Sequence, residues 1–202
     1  MFSGIVEELA VIAAIELGRE PVRLSVSSAL DHTDTQIGDS VLIEGVCLTV
    51  VEKLGSILIF ELSSETLRRT TLADLDQGER VHLERSLKVG TRINGHFVFG
   101  HADGCAELIS RRDEGRSVRM EFKLPSEHRG LIVPKGSISL SGISLTVGEV
   151  SSDSFSVYVI PHTSTVTRLG TLKPGERVNL EIDMLARYVK SILASANPAT
   201  AR

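Results

Sequence analysis

The sequence predicts an all-β protein: two similar six-stranded Greek-key β-barrels in tandem, closed by one C-terminal amphipathic helix. Three observations lead there. Short alternating runs rich in Val, Ile, Thr and Ser are punctuated by turn signals. The second half of the chain repeats the first at a fixed offset. Only the last stretch, after Asp183, has apolar residues at helical spacing.

In chain order, Val22–Val26, Val41–Ile43, Ile57–Phe60 and Phe155–Ile160 read as strands. Leu54-Gly-Ser56, Asp76-Gln-Gly78 and Lys173-Pro-Gly175 supply turns between them, at intervals that fit a small barrel or sandwich. From Asp183, an N-cap candidate, Met184, Leu185, Tyr188, Val189, Ile192 and Leu193 form one apolar face. Asn197-Pro198 is expected to stop the helix. Such a face needs a partner, and an oligomer interface is the natural one.

The repeat sets the domain plan. Gly45-Val-Cys-Leu-Thr-Val50 returns as Gly142-Ile-Ser-Leu-Thr-Val147, and Gly78-Glu-Arg-Val-His-Leu-Glu84 as Gly175-Glu-Arg-Val-Asn-Leu-Glu181, both 97 positions on. Without a gap, 45–84 matches 142–181 at 15 of 40 positions, against about two or three expected by chance. Phe2 pairs with Phe99 at the same offset. Solenoid repeats run to about 20–50 residues, so this one is a whole small domain. The expected units are 1–93, 94–182 and a helix with tail at 183–202, with Lys88–Arg92 as the linker.

Composition narrows the function. The 202 residues are 42% hydrophobic and 24% charged, the balance of a globular chain. With 22 basic against 26 acidic residues the net charge is −4, which argues against a nucleic-acid partner. No apolar run approaches the ~18 residues of a membrane span, and Met1-Phe-Ser-Gly lacks the basic start of a signal peptide. Two cysteines do not make a disulfide framework. A cytoplasmic protein is expected.

Met1-Phe-Ser-Gly-Ile-Val-Glu7, Gly45–Val50, Gly95-His-Phe-Val-Phe-Gly-His-Ala-Asp-Gly104, Lys135-Gly136, Gly142–Val147 and Ile160-Pro-His-Thr163, in this order on a tandem repeat, resemble the riboflavin synthase alpha-chain family. The resemblance runs from Met1 to the terminal helix. It implies a homotrimeric transferase of two-barrel subunits, without cofactor or metal. Two molecules of 6,7-dimethyl-8-ribityllumazine are dismutated, one passing a four-carbon unit to the other, to riboflavin and 5-amino-6-ribitylamino-uracil. The N-terminal barrel of one subunit is expected to face the C-terminal barrel of its neighbour. Association with lumazine synthase is left open.

Carried over by position, one pocket comprises Cys47, Leu48 and Thr49, the stretch Glu61, Leu62, Ser63, Ser64, Glu65 and Thr66, and Gly100, His101 and Ala102. The other comprises Gly4, Ile5 and Val6, then Ser144, Leu145 and Thr146, and the stretch Ile160, Pro161, His162, Thr163, Ser164 and Thr165. Phe2 and Ser40 join the binding set, Lys135 reaches across the interface, and Asp183 stands near it. The catalytic candidates are His101, Cys47, Ser144 and Thr146. A histidine titrates near neutral pH, which suits proton transfer by His101.

Blander readings stand beside these. A free cysteine is most often a small buried hydrophobe, yet Cys47 aligns with Ser144, and an exchange there breaks the symmetry where donor and acceptor must differ. Thr49 and Thr146 are good strand formers, and Asp183 is also a helix cap. Cys105 reads as structural, and the Gly78 and Gly175 repeats as turns entering strands. His96 and His101, five apart, point to opposite faces if they lie in one strand, and no third metal ligand is near. The chain departs from the family pattern at Glu44, Ser141, Asn94 and Phe99. The competing function is a non-catalytic lumazine- or flavin-binding protein of the same family. A flavin barrel from a larger reductase fails for want of a Gly-rich nucleotide loop.

Overall fold

The computed structural model describes residues 1–196. Strands β1 (Glu8–Glu16), β2 (Val22–Ser27), β3 (Ser40–Ile43), β4 (Val46–Leu54), β5 (Ile57–Leu62) and β6 (Arg80–Arg85) close an antiparallel barrel in the order β1-β2-β5-β4-β3-β6. Strands β7 (Gly104–Glu114), β8 (Ser117–Lys123), β9 (Ser137–Leu140), β10 (Ile143–Val150), β11 (Ser154–Val159) and β12 (Arg177–Ile182) close a second in the equivalent order, β7-β8-β11-β10-β9-β12. In each, a three-strand meander is followed by a strand that returns beside its first member, the Greek key. Closure leaves no free edge to template aggregation.

Period-two patterning decides what fills each barrel. Along β2, Val22, Leu24 and Val26 are buried while Arg23, Ser25 and Ser27 are not. Leu24, Phe60 and Leu83 belong to the first core. The second holds Leu180 with Phe122 and Phe155, whose rings stack at 5.7 Å. Each such fully buried side chain contributes about 1.5–3 kcal/mol.

Between β5 and β6 the chain makes α1 (Ser64–Arg69), and between β11 and β12 it makes α2 (Pro161–Val166), each followed by a 3-10 turn. The repeated threonines build this corner. Thr70 Oγ1 donates to the Thr66 carbonyl at 2.7 Å, and Thr167 Oγ1 to that of Thr163 at 2.6 Å. The repeated Leu72 and Leu169 are buried beneath. Gly78 and Gly175, both at φ +90°, turn the chain into β6 and β12 as expected. The terminal helix α3 (Met184–Ala196) begins where predicted, with Asp183 Oδ1 accepting the Leu185 N–H at 2.9 Å. Of its predicted apolar face, Leu185, Tyr188, Val189, Ile192 and Leu193 are exposed and Met184 is half-buried. The stop at Asn197-Pro198 lies outside the described residues. No helix among them is long and apolar enough to cross a membrane.

The repeat is less regular than the single offset implied. Val22 and Val118 hold equivalent places in β2 and β8, 96 apart, because they pair with Leu62 and Val159, which are 97 apart. The second half therefore carries one extra residue between β8 and β9. This corrects the pairing of Phe2 with Phe99. The bridge partner of Phe2 is Val98, with Phe2 N–H donating to its carbonyl at 2.8 Å and Val98 N–H returning at 3.1 Å. The segment holding His96 and His101 is likewise no strand, only irregular chain around that one bridge.

Candidate active site

Two arms, residues 1–7 and 96–103, run between the outer faces of the barrels. Each is held by a carboxylate of one barrel and offers a carbonyl to the other. Glu84 on β6 accepts the N–H groups of Ser3, Gly4 and Ile5 at 2.7–3.1 Å, while the Gly4 carbonyl accepts the Ser144 N–H of the second barrel at 2.8 Å. Glu181 on β12 accepts the N–H groups of Phe99 and Gly100 at 2.7 and 2.8 Å, while the Gly100 carbonyl accepts the Cys47 N–H of the first barrel at 2.9 Å. Burial pushes both carboxyls above their ordinary value, against the pull of these N–H donors.

Glycine is required at both contacts. Gly4 and Gly100 lie at φ +77° and +73°, and a Cβ on either would sit 2.6 Å from the Cβ of Ser144 or Cys47. The axis relating the halves passes by Gly45 and Gly142, where a Cβ on Gly45 would meet Gly142 N at 2.4 Å.

A polar joint fixes this axis. His82 Nδ1 donates to the Ser141 carbonyl at 3.0 Å, and its Nε2 accepts the Arg168 N–H at 2.8 Å. Asn179, the repeat partner of His82, mirrors it: Nδ2 donates to the Glu44 carbonyl at 2.8 Å and Oδ1 accepts the Thr71 N–H at 2.7 Å. Glu44, 2% exposed, accepts the His82 N–H at 2.8 Å and faces Arg168 Nη1 at 3.4 Å. Burial pushes the Glu44 carboxyl up, but the ring and backbone N–H groups of His82 and the Arg168 guanidinium outweigh it and hold it at about 2.

The first pocket is a cavity of about 480 Å³ between β4, α1 and the second arm, within the usual range for a small ligand. Of the residues that the resemblance assigns to one pocket, Cys47, Ser63, Glu65, Thr66, Gly100, His101 and Ala102 line it together, joined by Arg69, Asp103 and Arg187, while Leu48, Thr49, Glu61, Leu62 and Ser64 do not. Ser63 and Thr66 face each other at 2.9 Å as the cap of α1, and Glu65 pairs with Arg69 at 3.1 Å. The His101 ring is exposed beside Phe99 at 6.0 Å.

At the second barrel Ser144 meets Gly4, and α2 follows β11 as α1 follows β5 in the first. His96, no candidate from sequence, is the added member beside Ser144: Nδ1 lies 2.7 Å from Ser144 Oγ. Burial pushes this imidazole below its ordinary value, against the charge of Asp183. A half-buried, neutral imidazole on a hydroxyl is the arrangement of a base with its proton donor. His96 and His101 thus lie in different places, one at Ser144 and one at the cavity of the first barrel, rather than on opposite faces of one strand.

Other predicted residues fall around these two centres. Ser40 pairs with Thr49 across β3 and β4, on the outer face that also carries Cys47. Ser139 stands opposite Ser144, and Ser137 opposite Thr146, in the same relation. Leu48 and Leu62 lie in the first core and Leu145 packs on the second, as does Val6, so what the leucines turn outward is backbone. Phe2 is fully buried with Leu42 and Val98, in contact with Cys47. Glu61, Ser64, Ile160, Pro161, His162 and Thr165 are exposed, and Thr163 and Ser164 half-buried, the Ser164 hydroxyl without a partner. Lys135 is exposed in a left-handed turn at φ +66°, its N–H on the Val147 carbonyl at 2.9 Å.

Comparison with known proteins bears on both sites. The family model of the lumazine binding domain matches residues 3–86 and 99–183. The riboflavin synthase of Brucella abortus (strain 2308) is 42% identical over 193 residues, covering 93% of this chain and 96% of the relative. That of Bacillus subtilis (strain 168) is 34% identical over 197 residues, 98% of this chain and 92% of the relative. Among solved structures, LumP complexed with riboflavin superposes with a TM-score of 0.82 at 27% identity, over 90% of this chain and 99% of LumP. LumP complexed with 6,7-dimethyl-8-(1'-D-ribityl) lumazine gives 0.80 at 26%, over 90% and 98%.

Proposed function

The chain belongs to the lumazine-binding domain family, and we propose that it acts as a riboflavin synthase. The reaction is the dismutation of two dimethylribityllumazines, a four-carbon transfer that adds no water overall and calls on no cofactor. The observation that carries the reading is an arrangement repeated in each barrel, an outer-face Cys47 or Ser144 whose N–H is fixed by the glycine carbonyl of an arm. A protein that only holds a lumazine needs one such arrangement. LumP, which binds riboflavin and the lumazine, is the structural relative that keeps this alternative in view.

The asymmetry fits two unlike partners. One lumazine must lose a proton from its acidic C7 methyl, and the other must be opened to give up four carbons. In the second site the His96–Ser144 pair supplies a neutral base and a hydroxyl. In the first, the Cys47 thiol and the exposed His101 stand at the cavity. Most of the rate is expected from holding two rings in register, where orientation can supply about 7–11 kcal/mol.

The lining of the first cavity includes no residue of the second site, which favours a reaction between pockets of neighbouring subunits. We read the assembly as a homotrimer in the cytoplasm, joined through the exposed apolar face of α3. The test is optical and direct. Purified protein with the lumazine alone should raise the long-wavelength absorbance of riboflavin, with one diaminouracil formed per riboflavin, in buffer with or without chelator. Binding without turnover overturns the enzyme reading, and loss of turnover on chelation overturns the metal-free one.

A further inference from the structure

The two arms end in the same way, on an acid, but their clamps come from different places. In the first arm Glu7 N–H donates to the Leu83 carbonyl at 2.9 Å, and its carboxylate accepts the Arg85 backbone N–H at 2.7 Å. The Arg85 guanidinium closes the clamp through Nε at 3.1 Å and Nη2 at 2.8 Å. In the second arm Asp103 N–H donates to the Leu180 carbonyl at 2.8 Å, and its carboxylate accepts the Ile182 N–H at 2.8 Å. Here the strand supplies Ile182 in place of an arginine. The guanidinium comes instead from α3: Arg187 Nη2 donates to Asp103 Oδ2 at 2.6 Å and to the His101 carbonyl at 3.1 Å.

We propose that Arg187 is a positioning residue that makes the first pocket depend on the seating of α3. It bonds the 101–103 wall at both the His101 carbonyl and the Asp103 carboxylate, and both Arg187 and Asp103 line the cavity. Asp103 is 13% exposed and Arg187 32%, so the pair is sheltered enough to hold a backbone segment in place. The first arm has no arginine tie to α3, because it is clamped by the last residue of β6 within one barrel. Whatever packs on the exposed face of α3, a second copy of this chain in the reading above, therefore bears on lumazine affinity in the first pocket. By linkage, lumazine there bears equally on assembly.

The proposal rests on the cavity being a lumazine site, and the experiment separates the two. Cys47 lies in the first pocket and Cys105 does not, so peptide-resolved alkylation by iodoacetamide reads them independently. Lumazine protection of Cys47 gives the affinity of that pocket. In Arg187→Met the protection midpoint should rise about 10-fold or more, the loss expected when a sheltered hydrogen bond between charged groups is removed. The Cys105 rate should stay as in the wild type, whereas general loosening would raise it. Arg187→Lys should recover part of the affinity, because an ammonium keeps the Asp103 pair but not the fork. Arg85→Met should leave the Cys47 midpoint within about twofold. If Arg187→Met does not fold, Asp103→Asn provides the same reading. Equal midpoints in wild type, Arg187→Met and Asp103→Asn overturn the proposal, as does an equal shift in Arg85→Met. A wild-type Cys47 that lumazine fails to protect overturns the pocket assignment itself.

Discussion

Glu44→Gln tests whether a buried charge locks the barrels together. The side chain is 3% exposed, its Oε1 lies 2.8 Å from the His82 N–H, 3.3 Å from His82 Nδ1 and 3.4 Å from Arg168 Nη1. A carboxyl held at about 2 against an ordinary 4.5 corresponds to about 3 kcal/mol in favour of the folded, ionised form. The folded value is the depressed one. The stabilisation is therefore complete above pH 4.5 and drains away as pH falls toward 2. Glutamine keeps the shape and removes the titration. At pH 7 the variant should melt about 6–12 °C below the wild type, taking 2–4 °C per kcal/mol for a chain of this size. Thermal unfolding followed by circular dichroism at a series of pH values should show that gap closing on acidification, as the wild type loses what the variant never had. A gap that stays constant between neutral and strongly acid pH, or no gap at neutral pH, would refute the reasoning.

Three further outcomes bear on function. His96→Ala should lower kcat by about 10²–10⁴-fold, and because burial keeps the imidazole neutral, the wild-type rate should fall on the acid side, below the ordinary histidine range; a flat profile there would remove His96 as the base. His101→Gln should slow turnover by one to three orders of magnitude, about 1.4–4 kcal/mol, with an unchanged fold; unaltered kcat between pH 6 and 8 would return it to a structural role. Cys47→Ala and Ser144→Ala chains should each be slow, but confirmed mixed trimers should regain activity at the one interface that joins two intact pockets, and deleting 184–202 should abolish both assembly and rescue. Activity no higher than the average of the parents would place the whole site within one chain.

Much of this was legible in the chain before it folded. A strand writes its two faces into sequence with period two, so Leu48 and Thr49, or Leu145 and Thr146, declare inside and outside by themselves. A duplication writes itself as a fixed offset, which aligned Cys47 with Ser144 and Thr66 with Thr163. Asp183 announced the start of α3 because capping is local chemistry. What the sequence could not determine is which segment covers which outer face. Glu84 and Ser3, or Glu181 and Gly100, are about eighty residues apart, and no local propensity couples them. The one-residue change in offset slid the arms out of alignment, so Phe2 matched Phe99 on paper while its backbone bridges Val98 in space. His96 was hidden for the same reason. Its partner Ser144 is 48 residues on, and only closure of the second barrel beneath the exchanged arm brings hydroxyl and imidazole within a hydrogen bond.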